Sequence, residues 1–185
     1  MKAGVLALQG DFREHAAVLA ELGARPVEVR TPEDLAEVEC LVIPGGESTT
    51  ISKLARSAGL VEPIRERARA GMPMLGTCAG MIVMARRVIG LEPLLDLVDI
   101  TVRRNAYGRQ VDSFETDLRV EGVDHPVRAV FIRAPIVEEV GPGVRVLAEH
   151  EGHPVVVEEG NLVVASFHPE LVGETRLHGY VLRKV

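Results

Sequence analysis

The feature that most constrains this chain is the alternation running through its first half. "AGVLALQG" is a short aliphatic run of the kind buried on both faces of a parallel sheet. "DFREHAAVLAELG" follows, with Phe12, His15, Ala16, Leu19 and Leu22 at helical spacing and Gly23 as its C-terminal stop. "RPVEVR" predicts a second strand, and "TPEDLAEV" a short helix with Thr31 as N-cap and Pro32 in its first position. "CLVIPGG" predicts strand three. "STTISKLARSAGLVEPIRERARAG" predicts helix, broken near Gly59 or Pro63. "MPMLGT" then reads as strand four and "CAGMIVMARRV" as the next helix. Strands and helices in this order form βαβ units with right-handed crossovers and a mainly parallel sheet.

From Leu94 onward the pattern changes. "LLDLVDITVRRN", "SFETDLRV", "VRAVFIRAP", "VRVLAEHEG", "HPVVVEEG" and "NLVVASFHPE" are consecutive strand candidates separated by turn residues. The last two form a hairpin around Glu159-Gly160-Asn161, and "GETRLHGYVLRK" is a closing helix. No linker, repeat or low-complexity stretch interrupts the 185 residues, a length sufficient for a substantial core. The expected fold is α/β, one domain over residues 1–185. It is a three-layer sandwich with a mainly parallel central sheet and antiparallel strands in the C-terminal half.

Composition excludes several classes. A net charge of −6 and an aromatic content of 3% argue against nucleic-acid binding, which uses basic patches and stacking platforms. No apolar run approaches the ~20 residues of a membrane helix, and the N-terminal apolar run is too short for a signal peptide. The expectation is a cytoplasmic protein with no membrane association. Two cysteines make no disulfide scaffold. Cys40, inside "VECLVIPGG", reads as a buried core thiol.

Cys78 is different, because it sits at the apex of Gly76-Thr77-Cys78-Ala79-Gly80 between strand four and a helix. A Gly-x-Cys-x-Gly turn has the form of a nucleophile elbow with sulfur in place of oxygen. The glycines leave room for substrate and neighbouring strands, and the start of a helix favours thiolate. In an open α/β sheet ligands bind beyond the carboxyl ends of the strands. Three loops meet that description: Gly45-Gly46-Glu47-Ser48, the Cys78 turn, and Phe167-His168-Pro169-Glu170.

Of the six histidines, His168 is best placed for acid–base work. His15 lies on an early helix, His125 precedes a proline, His150 and His153 flank a tight turn, and His178 belongs to the last helix. In extended backbone Glu170 points to the same side as His168 and can orient its ring. Cys…His…Glu thus supplies a nucleophile, a base and an orienting group. Taken singly, a cysteine in such a turn is more often structural and His-Pro-Glu more often a turn. Their conjunction at strand ends favours a thiol-dependent acyl transferase or hydrolase of unspecified substrate. Gly45-Gly46 is a weak phosphate cradle, since Glu47 follows where a P-loop has lysine. Its N–H groups suit an oxyanion or a carboxylate better.

"GTCAGM" with "FHPE" resembles the class I (triad) glutamine amidotransferases. "GVLALQGDFREH", "PGGESTTI", "RRNAYGRQVDSFE" and "FIRAP" are similar to the glutaminase subunits of pyridoxal 5′-phosphate synthase. The match runs from residue 4 to about residue 180, and Val172, where a small hydroxyl residue is expected, is one departure. The resemblance implies the flavodoxin-like architecture of that class and hydrolysis of L-glutamine to glutamate and ammonia. It implies Cys78 as the nucleophile forming a γ-glutamyl thioester, His168 as acid and base, and Glu170 as its partner. It further implies glutamine contacts at Gly46, Glu47, Ser48, Arg104, Ile132 and Arg133, and an oxyanion hole from the backbone N–H groups of Gly46 and Ala79. No metal or cofactor is implied. The implied partner is the lyase subunit of the synthase in a large hetero-oligomeric complex. Arginine grips a carboxylate in bidentate fashion, as the α-carboxylate of glutamine requires. The alternatives are a stand-alone γ-glutamyl hydrolase or peptidase with the same triad, and a catalytically idle regulatory relative.

Overall fold

Short β-branched and aliphatic runs can be buried on both faces only where helices or further strands cover them. A computed structural model, describing residues 1–104 and 113–185, shows how that covering is arranged. The elements run β1 (Lys2–Leu6), α1 (Phe12–Glu21), β2 (Arg25–Val29), α2 (Pro32–Ala36), β3 (Cys40–Ile43), α3 (Ser48–Ser57) and α4 (Val61–Arg69). Then come β4 (Met74–Thr77), α5 (Ala79–Met84), β5 (Ala85–Val88), β6 (Val98–Arg103), β7 (Ser113–Leu118), β8 (Val127–Ile132) and β9 (Ile136–Val140). The chain ends with β10 (Arg145–His150), β11 (His153–Glu159), β12 (Leu162–Ala165), a 3-10 turn (Glu170–Val172) and α6 (Arg176–Leu182).

The main sheet has the order β10-β11-β12-β4-β3-β1-β2. β2, β1, β3, β4 and β12 are mutually parallel, while β11 pairs antiparallel with both β12 and β10. Alternate residues along each strand feed two separate cores. Leu41, Ile43, Met74 and Val164 pack on one face with Leu35, Ile51 and Ile64 from α2, α3 and α4 and with β6. Cys40, Val42, Leu75 and Val163 pack on the other with Leu19 of α1, Leu177 and Val181 of α6, and the β7–β8 pair. The result is the expected three-layer α/β sandwich with a mainly parallel centre.

Local signals account for most boundaries. Thr31 Oγ1 accepts from the Asp34 N–H at 3.3 Å and Asp34 Oδ2 accepts from the Thr31 N–H at 2.9 Å, a capping box that starts α2. The long helical stretch breaks at Gly59, which takes φ +67°, and not at Pro63, which lies inside the first turn of α4.

Three expectations need correction. The helix after Cys78 stops at Met84 and does not reach Val88. The carbonyls of Val83 and Met84 accept from Leu95 and Leu97 N–H groups at 3.0 Å each, and the chain continues as β5 beside β6. Ile136–Val140 forms β9, a strand whose five-residue run "IVEEV" carries too little alternation to be read. The last helix begins only at Arg176, because Glu170–Val172 forms a 3-10 turn closed by Gly173. The whole "NAYGRQVD" stretch, 105 to 112, lies outside the described residues.

Candidate active site

The strands that end in the three candidate loops, β3, β4 and β12, are neighbours in the sheet, so their carboxyl ends meet. Cys78 joins β4 to α5 with φ +49° and ψ −103°, a left-handed conformation rare for a side-chain-bearing residue. Its N–H is anchored to Ala165 O at 2.8 Å and its carbonyl accepts from the Ile82 N–H at 3.3 Å. The flanking glycines serve close packing rather than the substrate. A Cβ at Gly80 would lie 2.1 Å from Ile43 O, and one at Gly76 would lie 2.6 Å from Met84 Sδ. Helix, elbow and strand therefore sit closer than any larger residue permits.

His168 is buried, with its backbone N–H on Val130 O at 2.8 Å. Its Nδ1 lies 2.7 Å from Glu170 Oε1 and 3.4 Å from Asp11 Oδ2. The His-Pro-Glu segment is not extended as expected. Pro169 takes φ −68° and ψ −30° and starts the 3-10 turn, which still delivers the Glu170 carboxylate to the imidazole. Burial pulls His168 down, but hydrogen bonds with Asp11, Cys78 and Glu170 outweigh it and push the imidazole up to about 12. Burial likewise raises Glu170, and hydrogen bonds from His15 and His168 overcome it and hold the carboxyl at about 2. With Nδ1 engaged by the carboxylate, Nε2 is the nitrogen left for proton exchange.

A cavity of about 420 Å³ opens over Cys78. Gly46, Glu47, Ser48, Ala79, Arg104, Ile132, Arg133 and His168 line it, so it gathers every predicted site residue except Glu170, which lies behind His168. Asp11, Ile82 and Leu171 line it too, and sequence reasoning missed them. Arg133 takes φ +45°, so two of the four non-glycine residues with positive φ among the described residues border this cavity. Cys78 Sγ points toward Ile132 O at 3.9 Å.

Glu47 has a structural task. Its carboxylate caps α3, accepting from Thr49 N at 3.0 Å and from Thr50 N and Oγ1 at 2.7 Å each. The Thr50 hydroxyl, foremost, holds it down to about 2 against the opposing effect of burial. Arg104 Nη2 stands 3.5 Å from the same carboxylate, and Arg104 Nη1 donates to Thr49 Oγ1 at 3.1 Å.

The loop after β1 completes the wall. Gln9 Oε1 accepts from the Glu47 N–H at 2.8 Å, and the Asp11 N–H donates to Gly45 O at 3.1 Å. Larger residues do not fit here: a Cβ on Gly45 would strike His168 Cε1 at 2.2 Å, and one on Gly10 would strike Gly45 O at 1.8 Å. In the sequence Gln9 and Asp11 stood out only as part of the "GVLALQGDFREH" segment, with no site role attached to either. Asp11, His168 and Glu170 bring ligand-type atoms within 4.8 Å of one another, but these atoms already pair as donor and acceptors. Cys40 is buried as expected, its thiol pushed up to about 11 by that burial.

The chain is similar to known proteins in sequence and in fold. A pyridoxal 5′-phosphate synthase subunit PdxT of Mycobacteroides abscessus is 56% identical over 178 residues, spanning 95% of this chain and 92% of the relative. Its counterpart from Acidothermus cellulolyticus is 55% identical and spans 100% of this chain and 93% of the relative. A crystal structure of a glutamine amidotransferase superposes with a TM-score of 0.94 at 49% identity, covering 98% of this chain and 97% of that one. Residues 5–185 match the SNO glutamine amidotransferase family, and the chain belongs to that family.

Proposed function

We propose that this chain hydrolyses L-glutamine to L-glutamate and ammonia as the glutaminase subunit of a pyridoxal 5′-phosphate synthase. In this reading residues 1–185 form one glutaminase domain that works in the cytoplasm. It passes ammonia to the lyase subunit of a large hetero-oligomeric complex. The observation that carries the chemistry is the 2.7 Å bond from His168 to Glu170, beside Cys78 on the wall of one cavity. The names of relatives at 55–56% identity carry the biosynthetic assignment. Among the described residues no helix is long and apolar enough to cross a membrane.

Each residue then has a task. Arg104 and Arg133 on the cavity wall supply positive charge for the α-carboxylate of glutamine, with Ser48 and Ile132 shaping the space. Cys78 sulfur, as thiolate, attacks the side-chain amide carbon, and His168, as imidazolium, protonates the departing nitrogen. Ammonia leaves and a γ-glutamyl thioester remains on Cys78. Water, deprotonated by His168, attacks the thioester, releasing glutamate and regenerating the thiolate and the imidazolium. Backbone N–H groups of Gly46 and Ala79 stabilise the oxyanion in both steps. Glu170 holds the ring and supports its charge.

The test is to follow glutamate and ammonia released from L-glutamine, with and without the lyase subunit. Release that is stimulated by that subunit supports the reading. Release that ignores it, with no complex on a sizing column, points to a stand-alone γ-glutamyl hydrolase. No release in either case refutes the glutaminase assignment.

A further inference from the structure

Behind Glu170, on the side away from the cavity, lies a buried polar cluster that the chemistry above does not use. His15 of α1 and His178 of α6 are both buried, as is Thr77, the residue before the nucleophile. His15 Nδ1 lies 2.7 Å from His178 Nε2. His15 Nε2 lies 3.0 Å from Thr77 Oγ1 and 3.4 Å from Glu170 Oε1. Two imidazoles inside a core of leucine and valine carry a desolvation cost that an apolar pair of similar size avoids. Their presence calls for something they hold.

The proton positions follow from the contacts. Burial holds His178 neutral, its pKa lowered to about 3, so this ring carries one N–H. Among the described residues His178 Nδ1 has no hydrogen-bond partner, the Glu174 backbone near it exerting the smallest of the effects on this ring. A buried N–H left without an acceptor is rare, so the proton belongs on Nε2, where it donates to His15 Nδ1. His15 must then carry its own proton on Nε2, the nitrogen that faces Thr77 and Glu170. The opposite tautomer would set a nitrogen lone pair against a carboxylate oxygen. Meanwhile, among the described residues, Glu170 Oε2 has no hydrogen-bond partner, and both imidazoles approach this buried carboxylate at Oε1, His168 from one side and His15 from the other.

We propose that His15 is a positioning residue for the reaction, its protonated Nε2 facing Glu170 Oε1 while His178 behind it fixes the ring. The triad is thus extended by a buried chain through α1 and α6. The inference rests on the glutaminase reading. It differs from a packing role in what it requires: a donor at the place of Nε2, not merely a ring-sized side chain. It also explains why α1 approaches β4 with a histidine, since neither His15 nor His178 lines the cavity and neither can touch substrate.

The experiment compares the full-length wild type, His15→Leu and His15→Gln in glutamine hydrolysis, each with the lyase subunit present. A glutamine side-chain nitrogen reaches about as far as imidazole Nε2, so His15→Gln keeps the donor and His15→Leu loses it. His15→Leu should lower kcat by about tenfold to a hundredfold, the scale of a hydrogen bond to a charged group. KM should stay within about twofold, and His15→Gln should recover most of the loss. A kcat equal to that of wild type in His15→Leu, or a change confined to KM, overturns the proposal. An inactive wild type would instead sink the glutaminase reading. A second readout needs neither turnover nor a His15 variant, and stands even if His15→Leu fails to fold. In ¹⁵N-histidine NMR of the wild-type chain, His15 should be protonated at Nε2, and that resonance should move in Glu170→Gln. A bare Nε2, or a resonance indifferent to Glu170→Gln, contradicts it.

Discussion

Cys78 is held at φ +49° by a bond from its own N–H to Ala165 and by the carbonyl that accepts from Ile82, so its side-chain direction is fixed before substrate arrives. Cys78→Ser changes one atom and should leave fold and partner binding intact. Glutamine hydrolysis should fall to a trace, because a hydroxyl is far less anionic than a thiol near neutral pH. Retained glutaminase above a small fraction of wild type would remove Cys78 from its role. Cys40→Ala serves as the contrast, costing about 1 kcal/mol of stability by core truncation with turnover unaffected. Glu170→Gln should slow kcat and leave KM nearly unchanged, since in the proposed mechanism the carboxylate acts through His168. A sharp rise in KM at constant kcat would make Glu170 a binding residue instead.

Titration of the same cluster has a definite sign. His178, lowered to about 3 by burial, takes up a proton near 6.5 when unfolded but not when folded, so acid draws stability away from 6.5 downward. Glu170, held at about 2, adds stability that is present above 4.5 and lost as pH falls from there toward 2. His168, pushed up to about 12, adds stability that is complete below 6.5 and lost as pH rises toward 12. Between pH 7 and pH 5 the His168 effect opposes that of His178 and is common to both proteins in a paired comparison. The urea midpoint of His178→Gln should therefore fall less, or rise more, than that of wild type over this interval. Parallel curves would show that His178 is not the group responsible.

At the scale of elements, the fold was legible wherever a period was long enough to count. β1 to β4 and their helices followed from aliphatic runs, Thr31-Pro32 and Gly23. The β11–β12 hairpin followed from Gly160, and its register pairs Glu159 with Leu162. What escaped were features decided by distant partners. Ala85–Val88 looks helical in isolation, yet Leu95 and Leu97 take the carbonyls that would extend the helix. The grouping of Cys78, His168 and Glu170 and of the residues on the cavity wall was readable because strand ends and distinctive residue types coincide. His15 and His178 were not, because a lone histidine at helical spacing reads as core whether or not it faces a carboxylate. Gly45 likewise gave no sign that it borders the imidazole. Gly45→Ala should fold and yet lose most activity, because its Cβ would displace His168 from Glu170 and Cys78. Near-wild-type kcat in that variant would mean the ring has room to move.

At the scale of the molecule, the sheet order sets β3, β4 and β12 side by side, so the three candidate loops meet at their carboxyl ends. The described residues hold a cavity sized for a small substrate over Cys78, and the acceptor of the ammonia belongs to another chain in the function proposed. Gly46, at φ +152°, has the backbone freedom to adjust this loop if, as proposed, it forms the oxyanion hole and a partner docks beside it. Stimulation by the lyase subunit should accordingly appear in kcat. The central claim is the covalent step, and acid-quenched mass spectrometry of the complex turning over L-glutamine tests it most directly. The account predicts a γ-glutamyl adduct, glutamine less ammonia, on the peptide that contains Cys78 and absent from Cys78→Ser. Turnover with no adduct on that peptide, or an adduct on Cys40, would contradict it.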